Sequence, residues 1–166
     1  LDTVELAPFK YLISENIKGI MVAHLYIPAL EHEANVASTL SPAIITGLLH
    51  KELGFKGLIV TDALDMKGVT KYFPAGEIEG RAMLAGNDIL LLPENVPAAI
   101  NGLVKAYESG RISPELLEIK CKKILGYKYD LGLTKKPVLN PAQLIADLNS
   151  PKSKALKEKL FENSIT

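Results

Sequence analysis

Three short runs of the chain are apolar without alternation: IMVA at 20–23, LIV at 58–60 and ILLLP at 89–93. A strand with one wet face alternates apolar and polar residues, so a run that does not alternate is covered on both faces, as in a parallel sheet. Between these runs the apolar positions recur at helical spacing. Residues 41–54 (SPAIITGLLHKELG) open with Ser41 as an N-cap and Pro42 at the first helical position, and stop at Gly54. Residues 75–86 predict a short helix ending at Gly86, and residues 96–110 another ending at Gly110. Helix and buried strand in alternation predict consecutive βα units with parallel strands, an α/β fold.

The flanks are helical. Residues 2–16 place Val4, Leu6, Phe9, Leu12 and Ile13 on one stripe, with Asp2 and Thr3 as candidate caps and Pro8 tolerable near the first turn. Residues 112–133 predict one long amphipathic helix with Ser113 as N-cap and Pro114 at the first position. A loop at 135–141 and two more helices, over 141–150 and 150–164, complete the pattern. Three parallel strands do not close a barrel. The chain reads as a piece of something larger, with βα units in 1–110 and a helical extension in 111–166; a barrel for 1–110 is what the resemblance given below implies.

Composition removes several function classes. Hydrophobic residues make up 48% of the 166, which excludes a disordered chain. The 19 basic and 19 acidic residues cancel and no basic block stands out, so nothing points to nucleic acid. Lys120, Lys122 and Lys123 read as a solvated helix face. The single cysteine, Cys121, excludes an internal disulfide framework and a cysteine-rich zinc site. No apolar stretch approaches the roughly 18 residues of a membrane span. A single cysteine does not fix the compartment, because exported enzymes often lack disulfides.

The candidate chemistry lies where the apolar runs stop. Asp62 follows LIVT directly, at the strand end that faces the active site in a parallel barrel. One reading makes it a nucleophile, attacking an anomeric carbon. The other makes it a cap that accepts from the N–H of Leu64 or Asp65. His24 ends MVA in the same way, either as a buried histidine satisfied by a carbonyl or as a contact to a substrate hydroxyl or to the nucleophile. Met66 reads as a site-lining residue or as core filler. Asp88 precedes its run, at the foot of the strand, where a carboxylate reads as stability. His32 and Glu33 are loop polars that bind metal only with ligands from elsewhere. No phosphate-cradling glycine loop and no GxSxG elbow occurs.

Four blocks resemble glycoside hydrolase family 3 in order and spacing: AHLYIPALE, STLSPAIITGLLHKELGFKGLIVTDALDMKGV, GEIEGRAMLAGNDILLLP and SGRISPELLEIKCKKILGYKYDLGL. The continuation TDALDM is similar to the β-N-acetylhexosaminidase branch, which reads Asp-x-Leu-x-Met. The β-glucosidase branch usually carries Trp directly after the Asp; this chain has Ala63 there and no Trp. The resemblance implies the last three βα units of a (β/α)8, TIM-like barrel, with LFENSIT leading towards a second domain. It implies Asp62 as catalytic nucleophile and His24 as part of the sugar-binding wall; Met66 stays a substrate-binding candidate from the pattern alone. It implies a retaining hydrolase that releases terminal β-linked N-acetylglucosamine from a glycan or peptidoglycan fragment, without metal or organic cofactor. A β-glucosidase or xylosidase of the same family is the alternative, and a non-catalytic half-barrel module the third. In that branch a Lys-His-Phe-Pro-Gly-His-Gly segment holds the sugar and a His–Asp dyad is the acid/base. Both are expected upstream of Leu1, so the chain alone is expected to be inactive. Were an acid supplied from within it, His32, Glu33 and Asp65 would be the first suspects. The open sheet edges and bare face are expected either to drive self-association or to be covered by the C-terminal helices folding back.

Overall fold

Strand β1 (Gly19–Val22) pairs in parallel with β2 (Leu58–Thr61), in the register Gly19↔Leu58 to Val22↔Thr61. The computed structural model of the chain describes residues 3–135 and 141–164. The candidate cap Asp2, most of the expected loop at 135–141, and Ile165 and Thr166 at the end of LFENSIT lie outside the described residues. Two compact units are present, Leu1–Tyr127 and Lys128–Thr166.

In the first unit, α1 (Ala7–Ser14) begins later than the apolar stripe predicts. Pro8 sits in its first turn, where its missing N–H costs nothing, and the helix therefore starts there rather than at Thr3. Residues Ala43–Glu52 form a helix, as expected, but a π-helix, with Leu53 N–H bonded to Leu48 O five residues back. Ser41 caps its entry by accepting from Ile44 N–H at 3.2 Å. Beyond β2 come α2 (Lys67–Thr70), α3 (Glu77–Ala85), α4 (Val96–Glu108) and α5 (Pro114–Asp130). Asn95 caps α4, accepting from Ala98 N–H at 3.0 Å, and Ser113 caps α5 through Leu116 N–H at 3.2 Å.

The third expected strand is reduced to one parallel bridge, Val60↔Ile89. Side chains replace the ladder bonds on both sides of it. Ile59 N–H bonds the Asp88 carboxylate at 2.9 Å, while Asn87 O is taken by Lys120 Nζ at 2.7 Å. Leu91 N–H bonds Thr61 Oγ1 at 2.9 Å. Leu92 then adopts φ 43°, turning the chain away from the sheet, and Pro93 has no N–H to offer.

One face of the sheet is covered. Ile59, with Ile20 and Val22 against it, packs on Ile45, Leu49, Phe55 and Ala85. A second cluster joins Val36, Ala37, Leu40, Leu64, Val69, Ile78 and Ala82. By strand alternation Gly19, Met21, Leu58 and Val60 point to the other face, where Met21 is 56% exposed. In the second unit, α6 (Leu144–Leu148) and α7 (Pro151–Ser164) are exposed helices, and α7 presents Leu156, Leu160 and Phe161 to solvent.

Candidate active site

Asp62 is the first residue past β2, and its N–H extends the parallel ladder to Val22 O at 3.0 Å. Alternation along Ile59, Val60 and Thr61 sends its side chain to the uncovered face, the same side as Val60. The carboxylate is half-buried. Ala63 N–H donates to Oδ1 at 2.8 Å, and among the described residues Oδ2 carries no hydrogen bond. The cap geometry expected from the alternative reading is not made by Leu64, whose N–H goes to Leu91 O at 2.9 Å. One carboxylate oxygen is thus held by a backbone donor while the other is open, an arrangement suited to nucleophilic attack.

His24 lies at the same end of the sheet, two residues past Val22. Both ring nitrogens are engaged: Nε2 with Ala63 O at 2.8 Å and Nδ1 with Thr39 Oγ1 at 2.8 Å. Ala63 O also accepts from Met66 N–H at 3.1 Å, so one carbonyl closes the turn after Asp62 and receives the histidine. Gly68 lets α2 approach; a Cβ there would lie 2.9 Å from the His24 Cβ.

Ser38 and Thr39, which sequence patterning did not single out, belong to this end of the sheet. They form a buried 3-10 turn with Leu40. Ser38 Oγ donates to Ala23 O at 2.5 Å, and Thr39 Oγ1 lies 2.8 Å from Ala23 O and 3.1 Å from Val22 O. Asn87 Nδ2 donates to Thr39 O at 2.8 Å. Two adjacent hydroxyl residues before a helix cap look like ordinary turn chemistry, and only the folded chain reveals that they strap the end of β1.

The side chains of the other sequence candidates are not drawn into this network. Met66 is 45% exposed at the start of α2. Asp65, His32 and Glu33 are exposed, and Glu33 pairs with Arg81 at 3.4 Å. Glu31, in the same loop, accepts from Ser41 Oγ and from Glu33 N–H, and the Ser41 hydroxyl above all holds its carboxyl below the usual range. Among the described residues no group of three or more His, Cys, Asp and Glu could hold a metal ion, and no helix is long and apolar enough to cross a membrane.

Asp88 lies at the opposite strand end, its side chain 4% exposed. Lys123 Nζ reaches its Oδ2 at 2.6 Å and Lys120 Nζ its Oδ1 at 3.5 Å. This corrects the expectation of a solvated lysine face. Lys120 is 7% exposed and closes the end of α3 through Gly86 O and Asn87 O; only Lys122 stands out in solvent, pairing with Glu118. Burial pushes the Lys120 ammonium below its ordinary value, and the Asp88 charge offsets part of that.

Residues 1–126 match the family model of the glycosyl hydrolase family 3 N terminal domain. A Pseudoalteromonas piscicida protein named beta-hexosaminidase A is 31% identical over 187 residues, covering 100% of this chain and 30% of its own length. A Cellulomonas fimi protein named beta-N-acetylglucosaminidase/beta-glucosidase is 27% identical, covering 95% of this chain and 29% of its own. The solved structure of a family 3 beta-N-acetylglucosaminidase from Paenibacillus sp. superposes with a TM-score of 0.79 at 37% identity, over 84% of this chain and 27% of that one. The chain thus spans under a third of the length of these relatives.

Proposed function

The chain belongs to glycosyl hydrolase family 3, and on that premise we propose that it forms the nucleophile-bearing part of a retaining β-N-acetylhexosaminidase. The N-terminal domain of this family has a TIM-barrel-type fold, and the described residues are a mixed α/β portion with few strands. We assign β1, β2 and the Ile89 run to the last three βα units of that barrel. We take α5, α6 and α7, which follow in sequence, as a helical extension.

The observation that carries the reading is the setting of Asp62: strand end, uncovered face, Oδ1 held by Ala63 N–H and Oδ2 open. In the proposed reaction Oδ2 attacks C1 of a terminal β-linked N-acetylglucosamine on a glycan or peptidoglycan fragment. A glycosyl-enzyme forms, and water then releases the sugar with retention. The acid that protonates the leaving oxygen comes from outside these residues, and so does most of the sugar clamp. Without an acid roughly 10²–10⁴ of rate is lost, so the 166-residue chain alone is inactive.

The experiment is Asp62→Asn in the full-length protein, which keeps the side-chain shape and removes the charge. Turnover of p-nitrophenyl N-acetyl-β-glucosaminide should fall by at least about 10³-fold, in line with the loss of a nucleophile, with the unfolding midpoint little changed. Near-wild-type turnover would remove the assignment, and Asp62-dependent hydrolysis by the 166-residue chain would remove the claim that the acid lies outside it. A β-glucosidase activity is the second reading, favoured by the double name of the Cellulomonas fimi relative. The matching p-nitrophenyl β-glucoside, run in parallel, decides between them.

A further inference from the structure

We propose that His24 is a positioning residue that holds the Asp62–Ala63 segment in attack geometry through the Ala63 carbonyl, with Thr39 fixing its ring. The inference rests on the reading of Asp62 as nucleophile. It assigns His24 a task distinct from holding sugar.

A carbonyl oxygen only accepts, so at 2.8 Å from Ala63 O the Nε2 atom must carry a proton. The other nitrogen faces Thr39 Oγ1, a hydroxyl with one proton and two lone pairs. With a neutral ring, Thr39 donates that proton to Nδ1. With a protonated ring, Nδ1–H donates to Oγ1, and the hydroxyl turns its proton to Ala23 O at 2.8 Å or Val22 O at 3.1 Å. The Nε2–H bond to Ala63 O survives in both states.

Its consequence reaches Asp62 through one residue. Ala63 O receives His24 and Met66 N–H, and Ala63 N–H holds Asp62 Oδ1. Both lone pairs of that carbonyl are occupied, which fixes the orientation of the residue whose N–H holds the carboxylate. The next residue, Leu64, is fully buried and ties its N–H to Leu91 O, so the turn cannot slide forward. Thr39 is itself fully buried and anchored by Asn87 Nδ2. The strap is thus a continuous chain of hydrogen bonds from Asn87 through Thr39, His24 and Ala63 to Asp62.

The test uses the full-length protein, p-nitrophenyl N-acetyl-β-glucosaminide, and a dinitrophenyl analogue whose leaving group needs little acid assistance. His24→Asn reaches only the Thr39 side. It should lower kcat by about 10²-fold on both substrates, the scale of a misplaced reacting group, with KM within about threefold of wild type. His24→Gln carries an amide nitrogen near the Nε2 position. It should recover about tenfold of that loss, with a pH–rate profile of wild-type shape. Thr39→Val should lower kcat in the same direction, and Thr39→Ser should recover it. A raised KM at unchanged kcat in His24→Asn would make His24 a sugar contact and overturn the proposal. So would a missing limb in the His24→Gln profile, which would make the ring a proton-transfer group. If His24→Asn does not fold, the Thr39 pair carries the test, and equal kcat in Val and Ser variants overturns it. Loss of turnover in Asp62→Asn beside wild-type kcat in His24→Asn sinks this inference alone; an active Asp62→Asn sinks the nucleophile reading beneath it.

Discussion

Glu31 shows how one side chain can tie a loop that local sequence leaves free. Its carboxylate accepts from Ser41 Oγ and from Glu33 N–H, so the loop after β1 is fastened to the entry of the π-helix. Ser41 in turn accepts from Ile44 N–H, and a single hydroxyl serves as cap and clasp. These bonds favour the ionised form, which is why the Glu31 carboxyl titrates below its ordinary 4.5. A depressed carboxyl stabilises the fold above its unfolded value, and that stabilisation disappears as pH falls through the folded one. Glu31→Gln in the full-length protein should therefore cost about 1 kcal/mol at pH 7, the net scale of one ordinary hydrogen bond at this partly exposed site. The gap to wild type should close as the pH drops below 4.5. Thermal unfolding of both proteins across pH 3 to 7 measures it, and a gap that stays constant contradicts the charge argument.

At the scale of elements, α3 and α4 touch through two glycines. Gly76 adopts φ 91° at the start of α3, and a Cβ on Gly102 would lie 2.3 Å from Gly76 O. In an open helix Gly→Ala gains about 1 kcal/mol of propensity. Here the clash is with backbone and cannot be relieved by a rotamer, and overpacking costs about 1–3 kcal/mol. Overpacking wins, so Gly102→Ala should lower the denaturant midpoint of the full-length protein; a raised midpoint would mean the helices part freely. The helices and the paired strands were legible because their signals are local: Ser41 and Ser113 cap where their pattern says, and runs without alternation become β1 and β2. The π-winding was not legible, because burial of Ile44, Ile45 and Leu49 fits i+4 and i+5 spacing alike. The third strand failed for a non-local reason: Asp88 and Thr61 side chains substitute for its ladder. Lys120 was misread because its acceptors, Gly86 O and Asn87 O, lie more than thirty residues away in sequence. The address of Asp62 at a strand end was readable, whereas Thr39 beside His24 required the fold.

At the scale of the whole molecule, the sheet of the described residues has two strands, β1 and β2, and β1 has a paired edge only on the β2 side. That edge contains neither charge nor proline within Gly19–Val22, the features that discourage strand addition. Met21 is 56% exposed on the face opposite the helices, beside the half-buried Leu58 and Val60. Apolar area left in water forgoes about 25 cal/mol per Å², so each hundred Å² forgoes about 2.5 kcal/mol, a large share of a domain's net stability of about 5–15 kcal/mol. The 166-residue chain produced alone should therefore self-associate at low micromolar concentration. Met21→Lys places a charge on that face and should shift the population towards monomer. Sedimentation velocity of the two proteins over a tenfold dilution reads the outcome. A compact 18.0 kDa wild-type monomer with cooperative unfolding would mean that the edge and face are stable as they stand, and the argument from exposed area would fail.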